Sequence, residues 1–476
     1  MVVGEFAEKR DVMIIGGGPG GYNAAIRAAQ LGKSVTLIEK GSLGGVCLNQ
    51  GCVPSKVFTH AAKQVAAIPA MNNMGIETGE PSVDFETLIN YKDKTVKQLR
   101  GGVESLCKTN KIEIIEGEAN FTAENKIGVA NGHQFDVYEF EHAIIATGST
   151  SVVPEGVTNS HERVLLPETV YHLSDRPESL VVYGSDYISL EVAFSLKKLG
   201  SDVTMVLDEQ EDFYFDASIN RELKRILKKE KIKVHRGFKL ENVEAKDDGV
   251  SINLLKEDET KTIAASHIYV AAGRKANIQE LGVERIGVKL SPDGFIQTDR
   301  TAKTSIGNIF AVGDVTDGKA SAVKAIKQGK VAAEIIGGMK SEVDLTFIPT
   351  VVHSTPPIAT VGLTEKEAEE QGYSIKISQT SLSGNSYAMI SGEKSGIVSV
   401  IKDVDTDLLL GFHMIGAGAV ELISTGVTAL EMVAREEDLR FPSYPHPSMN
   451  EGFVEVMDGL SEMAIHTPAN KSASAR

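Results

Sequence analysis

Cysteine is scarce: 476 residues contain three, Cys47, Cys52 and Cys107. So few cannot build a disulfide framework in a chain this long. Long apolar runs are missing as well, none approaching the roughly 20 residues of a bilayer-spanning helix. A membrane span is thereby excluded. Positive charge is in deficit, with 49 Lys and Arg against 65 Asp and Glu and a formal net charge of −16. That balance argues against binding nucleic acid or anionic membranes through their phosphates. The segment MVVGEFAEKR has neither the basic stretch nor the apolar core of a secretory signal, so a cytoplasmic location is expected.

What is present is an ordinary globular composition, 42% hydrophobic and 24% charged with a mean hydropathy of −0.08, which excludes a disordered chain. The length suits two to four domains. Glycine, at 45 residues, is plentiful enough to predict several places where backbone closes on phosphate.

Cys47 and Cys52 stand five apart. Zinc sites want two-residue spacers and a second ligand pair, and no Cys or His cluster lies near enough in sequence to complete one. No metal is expected. A lasting structural disulfide is disfavoured in a reducing compartment, which leaves inert thiols or a redox pair.

An internal repeat organises the first half. Residues 12–39, VMIIGGGPGGYNAAIRAAQLGKSVTLIE, align without a gap onto 180–207, LVVYGSDYISLEVAFSLKKLGSDVTMVL, at a constant offset of 168. Each copy reads as an apolar strand, a glycine turn, an amphipathic helix and a second strand, a βαβ unit. Two Rossmann-like dinucleotide-binding domains follow. In the first copy Gly16, Gly18 and Gly21 form GxGxxG after the strand, and Glu39 closes the next strand. Gly16 permits the tight turn, Gly18 lets backbone approach a pyrophosphate, Gly21 lets helix and strand pack, and Glu39 accepts from a ribose hydroxyl. The second copy keeps the frame and loses the chemistry: Gly184, Asp186 and Ser189 stand at the glycine positions, and Leu207, followed by Asp208, replaces the acid.

Further strand ends at HAIIATGS (142–149), YVAAGR (269–274) and NIFAVGDV (308–315) suit ligand contacts at the edge of an open α/β sheet. From about Thr346 strand-like runs at 396–404 and 409–415 precede a helical stretch at 420–434, an α+β domain. Boundaries are placed near 150, 276 and 346. The tail HTPANKSASAR is polar and expected to fray.

Taken with GGVCLNQGCVPSK (44–56), ATGS, AAGR, the aspartate of VGD and HPSMNE (446–451), these features resemble the flavoprotein disulfide reductases, class I pyridine nucleotide-disulfide oxidoreductases, over essentially the whole chain. Ser55 before Lys56 favours the lipoamide branch over the glutathione branch, and the absence of cysteine after Cys107 argues against mercuric reductases. The resemblance implies an α/β fold with a C-terminal dimerisation domain at 346–476, FAD bound by 1–150 and 276–345, and an NAD-type domain at 151–275. It implies that Cys47 exchanges with dihydrolipoyl groups, that Cys52 contacts the flavin, and that His446, between Pro445 and Pro447, is the general base oriented by Glu451. Lys56 would sit by the flavin and pair with Glu191, Asp314 would hold the ribityl chain, and Thr147 and Gly148 would line its path. Lys40, Gly45, Gly117, Gly313 and Ala322 complete the FAD set, while Gly184, Tyr187, Glu191, Asp208, Gly273 and Arg274 form the NAD set. Cys107, His60, His142, His353 and His413 read as structural.

Several residues depart from the family pattern. Ser443-Tyr444-Pro445 precedes His446 in place of the usual alanine-histidine pair, Tyr387 stands where relatives commonly carry arginine, and Asp186, Ser189 and Leu207 fall where glycine, glycine and glutamate are usual. Two functions therefore compete. One is a homodimeric FAD- and NAD-dependent enzyme reoxidising the lipoyl-bearing acyltransferase of a 2-oxo acid dehydrogenase complex. The other is a flavin-bearing paralogue with impaired NAD use, serving assembly or passing electrons elsewhere. The intact thiols and base favour the enzyme.

Overall fold

The computed structural model describes residues 7–208 and 212–467. The first six residues of the amino-terminal segment and most of the polar tail lie outside them. Val12, Met13, Ile14 and Ile15 form a run buried on both faces, the pattern a covered parallel strand requires. They end the strand Glu8–Ile15, centre of a sheet in the order Glu113–Glu116, Val35–Glu39, Glu8–Ile15, Gln134–Ile145, Lys126–Asn131, Glu118–Ala123. The first four strands run parallel, the last two are antiparallel, and Ile309–Ala311 adds in parallel to Gln134–Ile145. The chain thus returns to its first sheet after an excursion.

That excursion is the second copy of the repeat. Strands Ser179–Tyr183 and Asp202–Val206 flank the helix Tyr187–Lys198, the counterpart of Pro19–Gln30, in a five-stranded parallel sheet. The backbone frames match closely: the Gly16 N–H donates to Ile38 O at 2.8 Å and the Gly184 N–H to Val206 O at 3.0 Å. An antiparallel meander, Lys239–Lys246, Gly249–Lys256 and Glu259–Ala265, covers this unit.

The last part is a five-stranded antiparallel sheet, ordered Thr350–Val352, Ile358–Gly362, Leu409–Ile415, Ile397–Asp403, Ile375–Ser381. Helices Ala419–Glu431 and Glu451–Leu460 pack on it through Ile423, Leu430, Phe453 and Met457. The architecture is α/β with two Rossmann-like units and an α+β C-terminal domain. Among the described residues no helix is long and apolar enough to cross a membrane.

Candidate active site

A cavity of about 940 Å³ opens at the carboxyl ends of the first sheet, at the upper end of the usual range for cofactor pockets. Its walls include Gly16, Gly18, Glu39, Lys40, Gly45 and Gly117 at one end. Thr147, Gly148, Gly313, Asp314 and Ala322 lie along it, and Cys47, Cys52 and Lys56 line it too. Tyr187, Glu191 and Arg274 also reach it. Gly21, Gly184, Asp208 and Gly273 are not among the described lining residues. Gly21 is spent on packing instead, since a Cβ there would lie 1.8 Å from Gly16 O.

The thiols are positioned by the nucleotide turn itself. Gly44 (φ +95°) and Gly45 (φ +56°) take left-handed backbone before the short helix Gly45–Asn49 that carries Cys47. The Gly44 N–H donates to Gly17 O at 2.8 Å, and a Cβ on Gly45 would stand 2.7 Å from Gly18 Cα. Cys52 is the first residue of the helix Cys52–Asn73, where unpaired N–H groups and the helix dipole favour an anion. Both are free thiols. A hydrogen bond donated by Cys47 lowers the Cys52 pKa to about 7, the Lys56 ammonium adding to it and burial opposing it. The same bond, with burial, holds the Cys47 proton far more tightly than an ordinary thiol does. The pair is therefore asymmetric, an acidic Cys52 beside a protonated Cys47.

Glu191, only 1% exposed, anchors this arrangement from the second unit. Both its oxygens lie 2.9 Å from Lys56 Nζ, one accepts from Ser55 Oγ, and the other accepts the His353 N–H at 2.9 Å. Ser55 and His353 were not legible as partners of this carboxylate. Ser55 sits inside the cysteine motif, which marks its position but not its partner, whereas a backbone N–H from residue 353 leaves no trace in sequence. Arg274 is committed to Glu168 at 3.1 Å and to Ser149, and Asp314 accepts from Ser149 Oγ and the Ser321 N–H. Glu168 too had no sequence signal.

His446 and Glu451 lie elsewhere. His446 Nδ1 is 2.6 Å from Glu451 Oε1, and the ring is 75% exposed. The Glu451 carboxylate, partly desolvated, is nonetheless held below its usual pKa by the Ser448 N–H and by His446. Ser448 Oγ donates to Pro445 O and Asn385 Nδ2 to Ser448 O, pinning the loop. Neither residue is among the described lining of the cavity, so one chain does not unite base and thiols. Cys107 and His413 are fully buried, His413 Nε2 bonding Leu363 O.

Residues 10–329 match the pyridine nucleotide-disulphide oxidoreductase family, and residues 348–457 match that family's dimerisation domain. The chain belongs to this family. It is 38% identical to a dihydrolipoyl dehydrogenase of Geobacillus stearothermophilus over 98% of this chain and 99% of that one. A dihydrolipoyl dehydrogenase of Staphylococcus aureus is 37% identical over 98% of this chain and the whole of its own length. The solved Cu(II) complex of an HOCl-induced flavoprotein disulfide reductase from Escherichia coli superposes with a TM-score of 0.85 at 25% identity, covering 95% of this chain and 99% of that chain.

The first unit of this oxidoreductase fits FAD. The helix Pro19–Gln30 has no side-chain cap at Gly18 among the described residues, and a Cβ there would touch Gly45 Cα at 3.9 Å without a clash. That leaves an open cradle over a helix N-terminus, the place a pyrophosphate takes. The second unit does not fit a pyridine dinucleotide in the same way. Asp186 caps the helix Tyr187–Lys198 with its own carboxylate, accepting the Ser189 N–H at 2.7 Å. Burial raises its pKa, while the Ser189 hydrogen bonds and Arg274 act against that. Leu207 is fully buried in apolar packing, and Asp208 Oδ1 is buried without a partner among the described residues.

Proposed function

We propose that the protein oxidises dihydrolipoyl groups on the acyltransferase of a 2-oxo acid dehydrogenase complex, using Cys47 and Cys52 as a redox pair beside FAD. The observation that carries this reading is that two free thiols, Cys47 and Cys52, line the same cavity as Lys56 and the glycines of the first nucleotide turn. In the oxidised pair a substrate thiolate attacks Cys47 sulfur, and Cys52 leaves as thiolate, the better leaving group because its pKa is low. The second substrate thiolate then attacks the sulfur joined to Cys47, closing the substrate disulfide and releasing Cys47. Of the two substrate protons one ends on Cys47 and one on His446, which Glu451 orients through Nδ1 so that Nε2 faces substrate. Cys47 then donates to the Cys52 thiolate.

Gly16, Gly18, Glu39, Lys40, Gly45 and Gly117 would hold the nucleotide end of FAD. Lys56, Thr147, Gly148, Gly313, Asp314 and Ala322 would hold its flavin half. When bound it supplies a two-electron acceptor next to Cys52. Lys56, tethered by Glu191, keeps a positive charge there and favours the thiolate. Because one chain separates His446 from the thiols, the base is assigned to a second subunit of a homodimer. Of the candidate NAD residues, Gly184 is buried, Glu191 and Arg274 are paired elsewhere, and Asp208 Oδ1 is buried, while Tyr187 is half-buried and Gly273 exposed. Asp186 favours the second reading to that extent: a flavoprotein whose dithiol half is intact and whose nucleotide half is impaired.

Anaerobic mixing of the flavin-loaded protein with dihydrolipoamide, without nucleotide, tests the proposal. The flavin spectrum should change within the mixing experiment, with a long-wavelength shoulder, and Cys47→Ser should abolish the change. A wild-type spectrum unmoved by excess dithiol would refute it.

A further inference from the structure

The two copies of the βαβ repeat offer an internal comparison, because their backbone frames coincide while their side chains do not. At the first turn the helix N-terminus carries no side-chain cap, and a Cβ on Gly18 would clash with nothing, touching only Gly45 Cα at 3.9 Å. At the second the equivalent position is Asp186, whose carboxylate bonds the Ser189 N–H at 2.7 Å. An anion therefore already stands where N–H groups and helix dipole would otherwise draw a phosphate. The ribose end differs independently. Glu39 lies on the cavity wall with its oxygens taking the Gly17 and Gly41 N–H groups at 2.6 and 2.7 Å, whereas Leu207 points into the apolar core.

We propose that Asp186 sets the nucleotide affinity of the second unit by standing in for the pyrophosphate, so that the chain holds NAD(H) weakly until this carboxylate is removed. Two effects act together. The side chain fills the space over which glycine would let a pyrophosphate settle, and its charge repels the incoming phosphates. A phosphate must displace the carboxylate from the Ser189 N–H before it can use that donor. Like charges about 4 Å apart, at an effective dielectric near 20 and then weakened by solvent, correspond to a loss of roughly tenfold to a hundredfold in affinity.

The test is calorimetric titration of the flavin-loaded protein with ADP-ribose, which carries the pyrophosphate and both riboses but no reducible ring. Asp186→Gly should tighten binding by about tenfold to a hundredfold over wild type. Asp186→Asn keeps a good helix cap while dropping the charge, so it should recover part of that gain at low salt and less at high salt. Wild-type protein that binds ADP-ribose as tightly as Asp186→Gly would overturn the proposal. Should the glycine variant fail to fold, Asp186→Asn decides: no gain at low salt overturns it. Nothing is oxidised in this titration, so its failure is distinct from failure of the dithiol chemistry.

Discussion

Cys47 and Cys52 are chemically identical residues five positions apart, and their environments divide the labour between them. Cys52 begins a helix and receives both a hydrogen bond from Cys47 and the field of Lys56, which bring its pKa to about 7. Its folded pKa lies below the ordinary thiol value of 9.0, so the thiolate dominates above about pH 7 and is lost as pH falls through it. In the two-electron-reduced flavoprotein the long-wavelength shoulder should therefore disappear on acidification with a midpoint near 7. Lys56→Met should move that midpoint upward, and a midpoint near 9 in wild type would contradict the assignment. Glu191 supports the same site from a distance. Glu191→Ala strands the Ser55 hydroxyl and the His353 N–H, and should lower unfolding free energy by about 1–3 kcal/mol in urea titration. An unchanged midpoint would mean that these bonds are not formed. The thiols, Lys56 and His446 could be read from sequence because each sits in a short motif. Ser55 as a ligand of Glu191, the His353 N–H and Glu168 could not, because long-range bonds between single residues impose no local pattern.

At the scale of elements, the nucleotide turn separates packing from binding. Gly21 is closed in, and a methyl group there must push helix from strand, costing about 1–3 kcal/mol as an overpacked site does. Gly18 is open, and Gly18→Ala should cost at most about 1 kcal/mol of apoprotein stability while loosening FAD by about tenfold or more. Dialysis of the holoprotein and denaturant unfolding of the apoprotein measure the two quantities. Gly18→Ala retaining FAD like wild type would place the pyrophosphate elsewhere. The repeated βαβ units were legible because apolar strands, a glycine turn and a periodic helix recur at fixed spacing. The helix ranges Pro19–Gln30 and Tyr187–Lys198 preserve the offset of 168 between the sequence repeats. The return of Ile309–Ala311 to the first sheet was not legible in that way. That strand is three residues long and its partner, Ala143–Ile145, lies far away in sequence, so the pairing leaves little periodicity to read.

The whole molecule keeps its parts in two places. The cavity and thiols belong to residues before 330, and the His446–Glu451 pair sits on an exposed loop of the C-terminal sheet-and-helix unit. That unit also exposes the apolar side chains Phe441, Met432 and Ile465. Tyr387, likewise exposed, follows Ser386, whose hydroxyl lies 3.5 Å from Glu451, so this position neighbours the proposed base. A site completed only by two chains makes a prediction no single-chain site can share. Cys47→Ser and His446→Ala proteins, each inactive in dithiol oxidation, are dissociated, mixed and reassociated with FAD. One of the two sites in each mixed dimer then pairs an intact thiol with an intact histidine, and about a quarter of wild-type activity should return if half of the dimers are mixed. Mixed dimers as inactive as their parents, or full activity in a wild-type monomer, would contradict the account.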